Sequence, residues 1–504
     1  MATEVFLTHD VGTGAVKSAL VGTDFSVIAA KSAPVHTKHA SGGVAEQDPE
    51  EWWRAVCENS RALVEQASPT DYSVLGVGVG GHMLGLVCVD GSGAPVAPAM
   101  IHADTRAGRQ ADRVAADVGV AELYRLTGNR LDSRASLAKA LWIKEEAPEV
   151  YNQSALFVQS KDFVVGRLVG TMGTTDPSDG AHGLLVNVST REYNNEVLRE
   201  VGIHVAKLPP VHDGATQAGT ICADAARQCG LPEGVPVIVG AGDGTMAGLG
   251  AGSLTPGEQY VSFGTTAWVG AAAGKPPLHP EMLTFVLPGV AADINYAIGT
   301  IQNAGAAIGY VLSLTGCDFA DVDRALREVP PGSDGLLFLP YIGGERAPIW
   351  DDDVRGAFVG LDASFGKLHL ARAALEGVCF ALASVLKCMP FEQPVDALRL
   401  VGGGFRSRTW VQVAADVFGV PLLRVSTAAE DAGCVGAAVA TALGVGAISR
   451  LEDATAVRHT VDRVEPDRRR HEVYQDLHLL YTRAYGDMRE INDGLARHRA
   501  RGTF

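Results

Sequence analysis

Three Gly-rich segments of this 504-residue chain set an acid or a hydroxyl beside backbone that no side chain covers. Asp10-Val11-Gly12-Thr13-Gly14 joins two apolar strand patterns, Val5 to Leu7 and Ala15 to Val21. It reads as a hairpin-like turn with an acid at its mouth and two glycines free to take positive φ. Phe263-Gly264-Thr265-Thr266 repeats the apolar-Gly-Thr turn, between strands at Tyr260 to Phe263 and Ala267 to Val269. Together the two read as a weak internal duplication, phosphate-facing hairpins on opposite sides of a cleft. Against that, Gly-Thr turns recur by chance in a chain with 59 Gly. The third segment, Gly402-Gly403-Gly404, follows the mostly apolar run Leu398 to Val401. It precedes Ser407, an N-cap, and a helix through Trp410, Val411, Ala414, Val417 and Phe418. A strand, a bare bend and a helix start suit a nucleotide, because backbone N–H groups approach closely and the helix dipole adds positive potential. Gly242-Asp243-Gly244 is either a plain turn or a carboxylate held clear of neighbouring side chains.

These turns need a scaffold of strands backed by helices. Pro49 to Glu65 has helical periodicity through Trp52, Trp53, Val56 and Leu63, and Leu75 to Val79 is a short apolar run typical of a buried strand. The class is therefore α/β. A second lobe begins just after Gly242-Asp243-Gly244, Gly433 to Leu443 is a small-residue helix suited to close packing, and Arg468 to Arg499 is a charged helix with a solvated face. Gly76-Val77-Gly78-Val79-Gly80-Gly81 fits G-x-G-x-x-G, but no helix pattern opens after it and no acid stands about 20 residues on, so it is a Gly-rich strand end. Walker A, G-x-S-x-G and H-E-x-x-H are all absent.

Composition narrows the class further. A length of 504 residues allows two to four domains at about 150 residues each, and two large lobes is the simplest reading. A formal charge of -16 argues against nucleic acid and an anionic membrane as partners, since both repel an acidic surface. The eight cysteines are scattered with no Cys-x-x-Cys pair, as expected of buried thiols in a reducing compartment. The amino terminus has no basic n-region, and the longest apolar stretch, Cys434 to Ser449, is short of the roughly 20 residues of a spanning helix. A cytoplasmic protein is expected.

A family resemblance rests on longer segments. Gly356-Ala357-Phe358-Val359-Gly360-Leu361, followed after seven residues by His369-Leu370-Ala371-Arg372-Ala373-Ala374-Leu375-Glu376, meets the second signature of the FGGY carbohydrate kinases at every position. The first signature corresponds to Ser136 through Glu146, with departures at Arg134 and Ala140. Ala45 to Trp53, Gly240 to Asp243, Gly343 to Pro348 and Gly402 to Gly404 resemble further family segments in the expected order, so the resemblance spans about residues 4 to 485.

The resemblance implies two actin-like, ribonuclease-H-like domains with an interdomain catalytic cleft: residues 1–250 binding the sugar, residues 251–485 binding ATP, and a tail at 486–504. Gly12, Thr13, Gly264 and Thr265 would donate hydrogen bonds to the phosphates, Lys17 either adds positive charge or is a solvated strand lysine, and Gly403, Gly404 and Ser407 would line the nucleotide side. Asp10, with Asp243, would hold Mg²⁺, and Asp243 would be the general base on the acceptor hydroxyl. On the sugar side Gly81-His82-Met83-Leu84-Gly85 and Ala103-Asp104-Thr105-Arg106 correspond to hydroxyl-reading segments of pentulose kinases. Asp104 would accept from two hydroxyls, and His82 or Met83 would close one face, although His82 is equally a satisfied core histidine. Leu84 stands where those kinases place His, and Ala103 where many place Asn. The implied acceptor is D-xylulose or a related pentulose, with a tetritol, pentitol, gluconate or glycerol as rivals. The resemblance leaves a homodimer open. Two readings of other classes are an actin-like ATPase without an acceptor and a sugar-sensing regulator; the latter lacks any helix-turn-helix extension here.

Overall fold

The strand Thr3–Val11 alternates its buried side chains between two cores. Val5, Leu7 and Val11 enter one and Phe6 the other, which places the strand at the centre of a sheet covered on both faces. In the computed structural model, which describes residues 3–66, 72–391, 395–425 and 431–500, it pairs antiparallel with Ala15–Gly22 and parallel with Tyr72–Gly81. Residues 1–2 of the expected first domain and 501–504 of the expected tail lie outside the described residues. The sheet runs in the order Gln217–Thr220, Pro236–Ile238, Tyr72–Gly81, Thr3–Val11, Ala15–Gly22, Val27–Pro34. A second sheet repeats its centre. There Gln259–Phe263 pairs antiparallel with Ala267–Ala273, which continues to Asn295–Ile301, and parallel with Leu398–Val401. The duplication expected from two Gly-Thr turns is thus a repeat of strand topology.

Both turns differ in detail from the sequence expectation. Neither Gly12 nor Gly14 has positive φ. Gly12 is required for space instead, because a Cβ there would lie 2.9 Å from the Ala15 carbonyl oxygen that accepts its N–H. The second turn is clamped from outside: Ala304 N and Ala306 N donate to Thr265 O, and Gly305 N donates to Gly264 O.

Between the two sheets lie two helices, Asp243–Gly250 and Ala432–Gly444, and one apolar core runs from Phe6 and Val21 through Met246, Leu249, Val435 and Val439 to Tyr260 and Tyr296. The helices meet backbone to backbone. A Cβ on Gly250 would lie 1.9 Å from Ala432 O, and one on Gly436 would lie 1.9 Å from Met246 O. The Gly76-Val77-Gly78-Val79-Gly80 strand is glycine-rich for the same reason: a Cβ on Gly78 would lie 2.6 Å from Ala437 O, and one on Gly80 3.0 Å from Met246 Cγ.

The second signature serves packing. Its helix, Lys367–Cys388, buries an Arg372–Glu376 pair whose carboxylate also accepts from Gly332 N, Ser333 Oγ and Tyr474 OH. Among the described residues this is the one helix long and apolar enough to cross a membrane, and 78% of its apolar window is buried inside the protein. The carboxy-terminal helix Arg468–Ala500 has the expected solvated face and docks through its other side, with Tyr474, His478, Tyr481 and Asn492 buried. Gly436→Ala is expected to destabilise the protein by about 1–3 kcal/mol through overpacking, read as a lower denaturation midpoint. A wild-type midpoint would show that the helices are not in backbone contact.

Candidate active site

The first hairpin ends beside a cleft of about 610 Å³ that reaches across to the second sheet. Asp10, Gly12, Thr13, His82, Met83 and Leu84 line one wall, Thr265, Thr266, Thr300 and Gln302 line the other, and Asp243 with Gly244 stands between them. Asp243 is the first residue of its helix rather than part of a free turn, and Gly244 N donates to its Oδ1 at 2.7 Å. Its carboxylate opens into the cleft, where protein walls replace bulk water. The residue remains exposed to the cleft, but the desolvation by the surrounding protein, with the charge of Asp10 adding, pushes its pKa up to about 7. Burial also raises the pKa of Asp10, and Lys17 across the hairpin opposes the rise.

The wall at Gly81 to Gly85 is built from both sides. Leu84 has φ of 60°, a left-handed conformation held because Lys139 Nζ donates to Leu84 O and Ile101 O, each at 2.6 Å, while Ser136 Oγ donates to Gly85 O at 2.9 Å. Lys139 and Ser136 come from the first signature, whose role here is to shape this wall. Burial lowers Lys139 to about 7. His82 is buried, packs edge-on against Trp52 at 5.3 Å, and has no hydrogen-bond partner at either ring nitrogen among the described residues. Burial drops its pKa to about 3, so the ring is neutral. Trp52 Nε1 donates to Gln47 Oε1 at 2.9 Å, and Gln47 Nε2 donates to Thr13 O at 2.7 Å, which ties this wall to the first turn.

A buried charge cluster joins the wall to Asp243. Lys161 forms ion pairs with Asp162, with Asp176 at 3.1 Å and with Asp179 at 3.4 Å, all within the interior. Its neighbour Ser160 donates through Oγ to His82 O at 3.0 Å. On the other side Asp176 accepts from Ser178 Oγ, and Ser178 Oγ accepts from Gly242 N at 2.9 Å, one residue before Asp243. Burial, reinforced by Asp176, Asp162 and Asp243 against the pull of Lys161, raises the Asp179 carboxyl well above the usual range and favours its protonated form.

The structure brings Asp10, Gly12, Thr13, His82, Met83, Asp243 and Thr265 into one cleft, with Gly264 shaping the second turn. Other expected site residues lie elsewhere. Asp104 does not line the cleft: its fully buried carboxylate accepts from Ala45 N, Arg106 N and the Arg106 guanidinium. Lys17 is the cross-strand partner of Asp10 and acts on the cleft through its charge. Ser407 stands at an N-cap position, yet its hydroxyl donates to Asp323 Oδ1 at 2.8 Å instead of capping the helix. Gly404 packs on the Phe263 ring, while a side chain at Gly403 would meet open space. Sequence reasoning missed His102, His182, Gln302 and Arg346. Arg346 lay inside a recognised segment without a role, and the histidines carried no motif. The Arg346 guanidinium makes no hydrogen bond or ion pair among the described residues, and burial, with Arg134 adding, lowers its pKa.

Two sheets of repeated topology, each turning a Gly-Thr hairpin toward one cleft, define the actin-like, ribonuclease-H-like fold of phosphoryl-transfer proteins. Models of the FGGY family of carbohydrate kinases match its N-terminal domain over residues 5–250 and its C-terminal domain over residues 259–445. The chain belongs to this family and is an ATP-dependent carbohydrate kinase. It is 29% identical over 499 residues to the xylulose kinase of Staphylococcus epidermidis, covering 98% of this chain and 99% of that one. It is 29% identical over 530 residues to the gluconokinase of Bacillus subtilis, covering 99% and 100%. The crystal structure of xylulose kinase from Rhodospirillum rubrum superposes with a TM-score of 0.88 at 28% identity, covering 97% and 100%.

Lys161→Met leaves three buried carboxyl groups without their cation and is expected to cost about 3–5 kcal/mol of stability, read by thermal or chemical denaturation. A loss below about 1 kcal/mol would mean that the cluster is not closed as described.

Proposed function

We propose that the chain transfers the γ-phosphoryl group of ATP to a hydroxyl of D-xylulose or a related pentulose, with Asp243 as general base. The observation that carries this is the convergence of two carboxylates, Asp10 and Asp243, and two Gly-Thr turns from opposite sheets on one cleft. Phosphoryl transfer needs positioning and charge neutralisation more than covalent help. Backbone N–H groups and hydroxyls at Gly12, Thr13 and Thr265 offer donors to the phosphates, and Asp243 takes the proton of the attacking hydroxyl. Asp10 and Asp243 present hard oxygens to one space, a donor set that fits Mg²⁺ completed by water and phosphate. When bound, that ion neutralises charge on the phosphates.

In this reading residues 1–250 hold the acceptor at His82 and Met83, and residues 251–485 hold the nucleotide near Thr265 and Gly403. The eight cysteines, all free, suit the cytoplasm. The pentulose assignment draws on the xylulose kinases among the relatives. One observation favours a second acceptor, gluconate or another aldonate: the unpartnered Arg346 guanidinium in the cleft matches a carboxylate. A coupled ADP-release screen over D-xylulose, polyols and gluconate separates them. ADP release that needs no acceptor would refute both.

Asp243→Asn is expected to lower turnover at least about 10²-fold with nucleotide affinity nearly intact; near-normal turnover would remove the base assignment. The base must be ionised, so kcat/KM for MgATP, which reports the free enzyme, should fall as pH drops through about 7 and level off above it. A flat profile from about pH 5.5 to 8 would contradict this.

A further inference from the structure

His182 ends the helix Pro177–His182 and lines both the main cleft and a small side cavity that it shares with Leu84, Phe285 and Arg346. Its protonation pattern is fixed by its neighbour. Asn129 Nδ2 faces three carbonyl oxygens, Thr127 O at 2.6 Å, Val286 O at 3.1 Å and Ala181 O at 3.2 Å, so the amide nitrogen must lie on that side and Oδ1 on the other. Asn129 Oδ1 sits 2.7 Å from His182 Nδ1. An amide oxygen only accepts, so Nδ1 carries the hydrogen. A neutral imidazole has a single N–H, which leaves Nε2 with a lone pair. Burial, with the positive charge of Arg346 adding, drives the ring to a pKa of about 3 and keeps it neutral. Phe285 packs against the ring at a tilt, with centroids 4.9 Å apart, and limits its rotation.

We propose that His182 is a specificity-determining residue that accepts, through Nε2, a hydrogen bond from one hydroxyl of the acceptor. The proposal rests on the assignment of this end of the cleft to the acceptor. The recognised group must be a donor: a hydroxyl fits, and a carbonyl, an ether or a deoxy carbon at that position does not. Arg346, which only donates, stands at the same cavity, so one hydroxyl can donate to His182 while its oxygen accepts from the guanidinium. A site built around such a pair rejects an analogue that lacks the hydroxyl, because the buried acceptor is then left unmatched.

The test uses His182→Phe, which keeps a ring against Phe285 without a lone pair, and His182→Gln, whose side-chain oxygen falls near the position of Nε2. Steady-state ADP release is measured with D-xylulose, gluconate and their monodeoxy analogues, beside Asp243→Asn. The Phe variant is expected to raise acceptor KM about tenfold or more while KM for MgATP stays within about twofold. Its loss of discrimination should fall on one deoxy position, and Gln should recover part of the acceptor KM. Acceptor KM unchanged in the Phe variant, or acceptor and MgATP KM rising alike, would overturn the proposal. If neither the wild type nor any variant phosphorylates an acceptor, or if Asp243→Asn stays active, the functional reading fails instead.

Discussion

The contact on which the rest of the structure depends is the backbone-to-backbone crossing of the two helices between the sheets. No side chain separates Gly250 from Ala432 or Gly436 from Met246. Close packing of this kind depends on the missing Cβ atoms and on the dispersion contacts that the short distance adds. It also places the chemistry. Asp243 begins one helix, and Gly433, near the start of the other, leaves room for the Asp10 carboxylate, whose Oδ2 would lie 2.6 Å from a Cβ there. One crossing therefore brings acids more than 200 residues apart in sequence to the same cleft.

Polar networks then set the positions that apolar packing leaves loose. Gln47 links the Thr13 carbonyl to Trp52, which backs His82, and the Lys161 cluster links the His82 carbonyl through Ser160 to Gly242 N through Asp176 and Ser178. Such groups are costly to bury unless paired, and they hold geometry because each partner depends on the others. The cluster holds one cation and three carboxyl groups, so a carboxyl that keeps its proton reduces the excess of negative charge. Asp179, with no hydrogen bond to either oxygen among the described residues, is the one whose burial favours that.

The cleft around His82 and His182 differs in kind from the part lined by the two Gly-Thr turns. It is walled by neutral histidines, an apolar Met83 and Leu84, and the Arg346 guanidinium, unpaired among the described residues. Neutral imidazoles can exchange hydrogen bonds with a hydroxyl without adding charge to the cleft. The positive φ at Leu84, held by Lys139, turns an apolar side chain into the cleft at the position where pentulose kinases place a histidine.

What the sequence by itself determined was local: the two hairpins, the strand-bend-helix after Leu398, the small-residue helix near Gly433 and the order of the family segments. Each follows from periodicity, glycine chemistry or short spacing, which need no distant partner. The roles of Asp104, Ser407 and Gly404 were not legible, because nearby groups claim them: Arg106 folds onto Asp104, Asp323 takes the Ser407 hydroxyl, and Phe263 fills the space over Gly404. Nor did any motif mark His182, and the segment that holds Arg346 gave it no role. Only the tertiary structure decided which side chains keep a free donor or acceptor facing the cleft, because availability depends on partners that arrive from other elements.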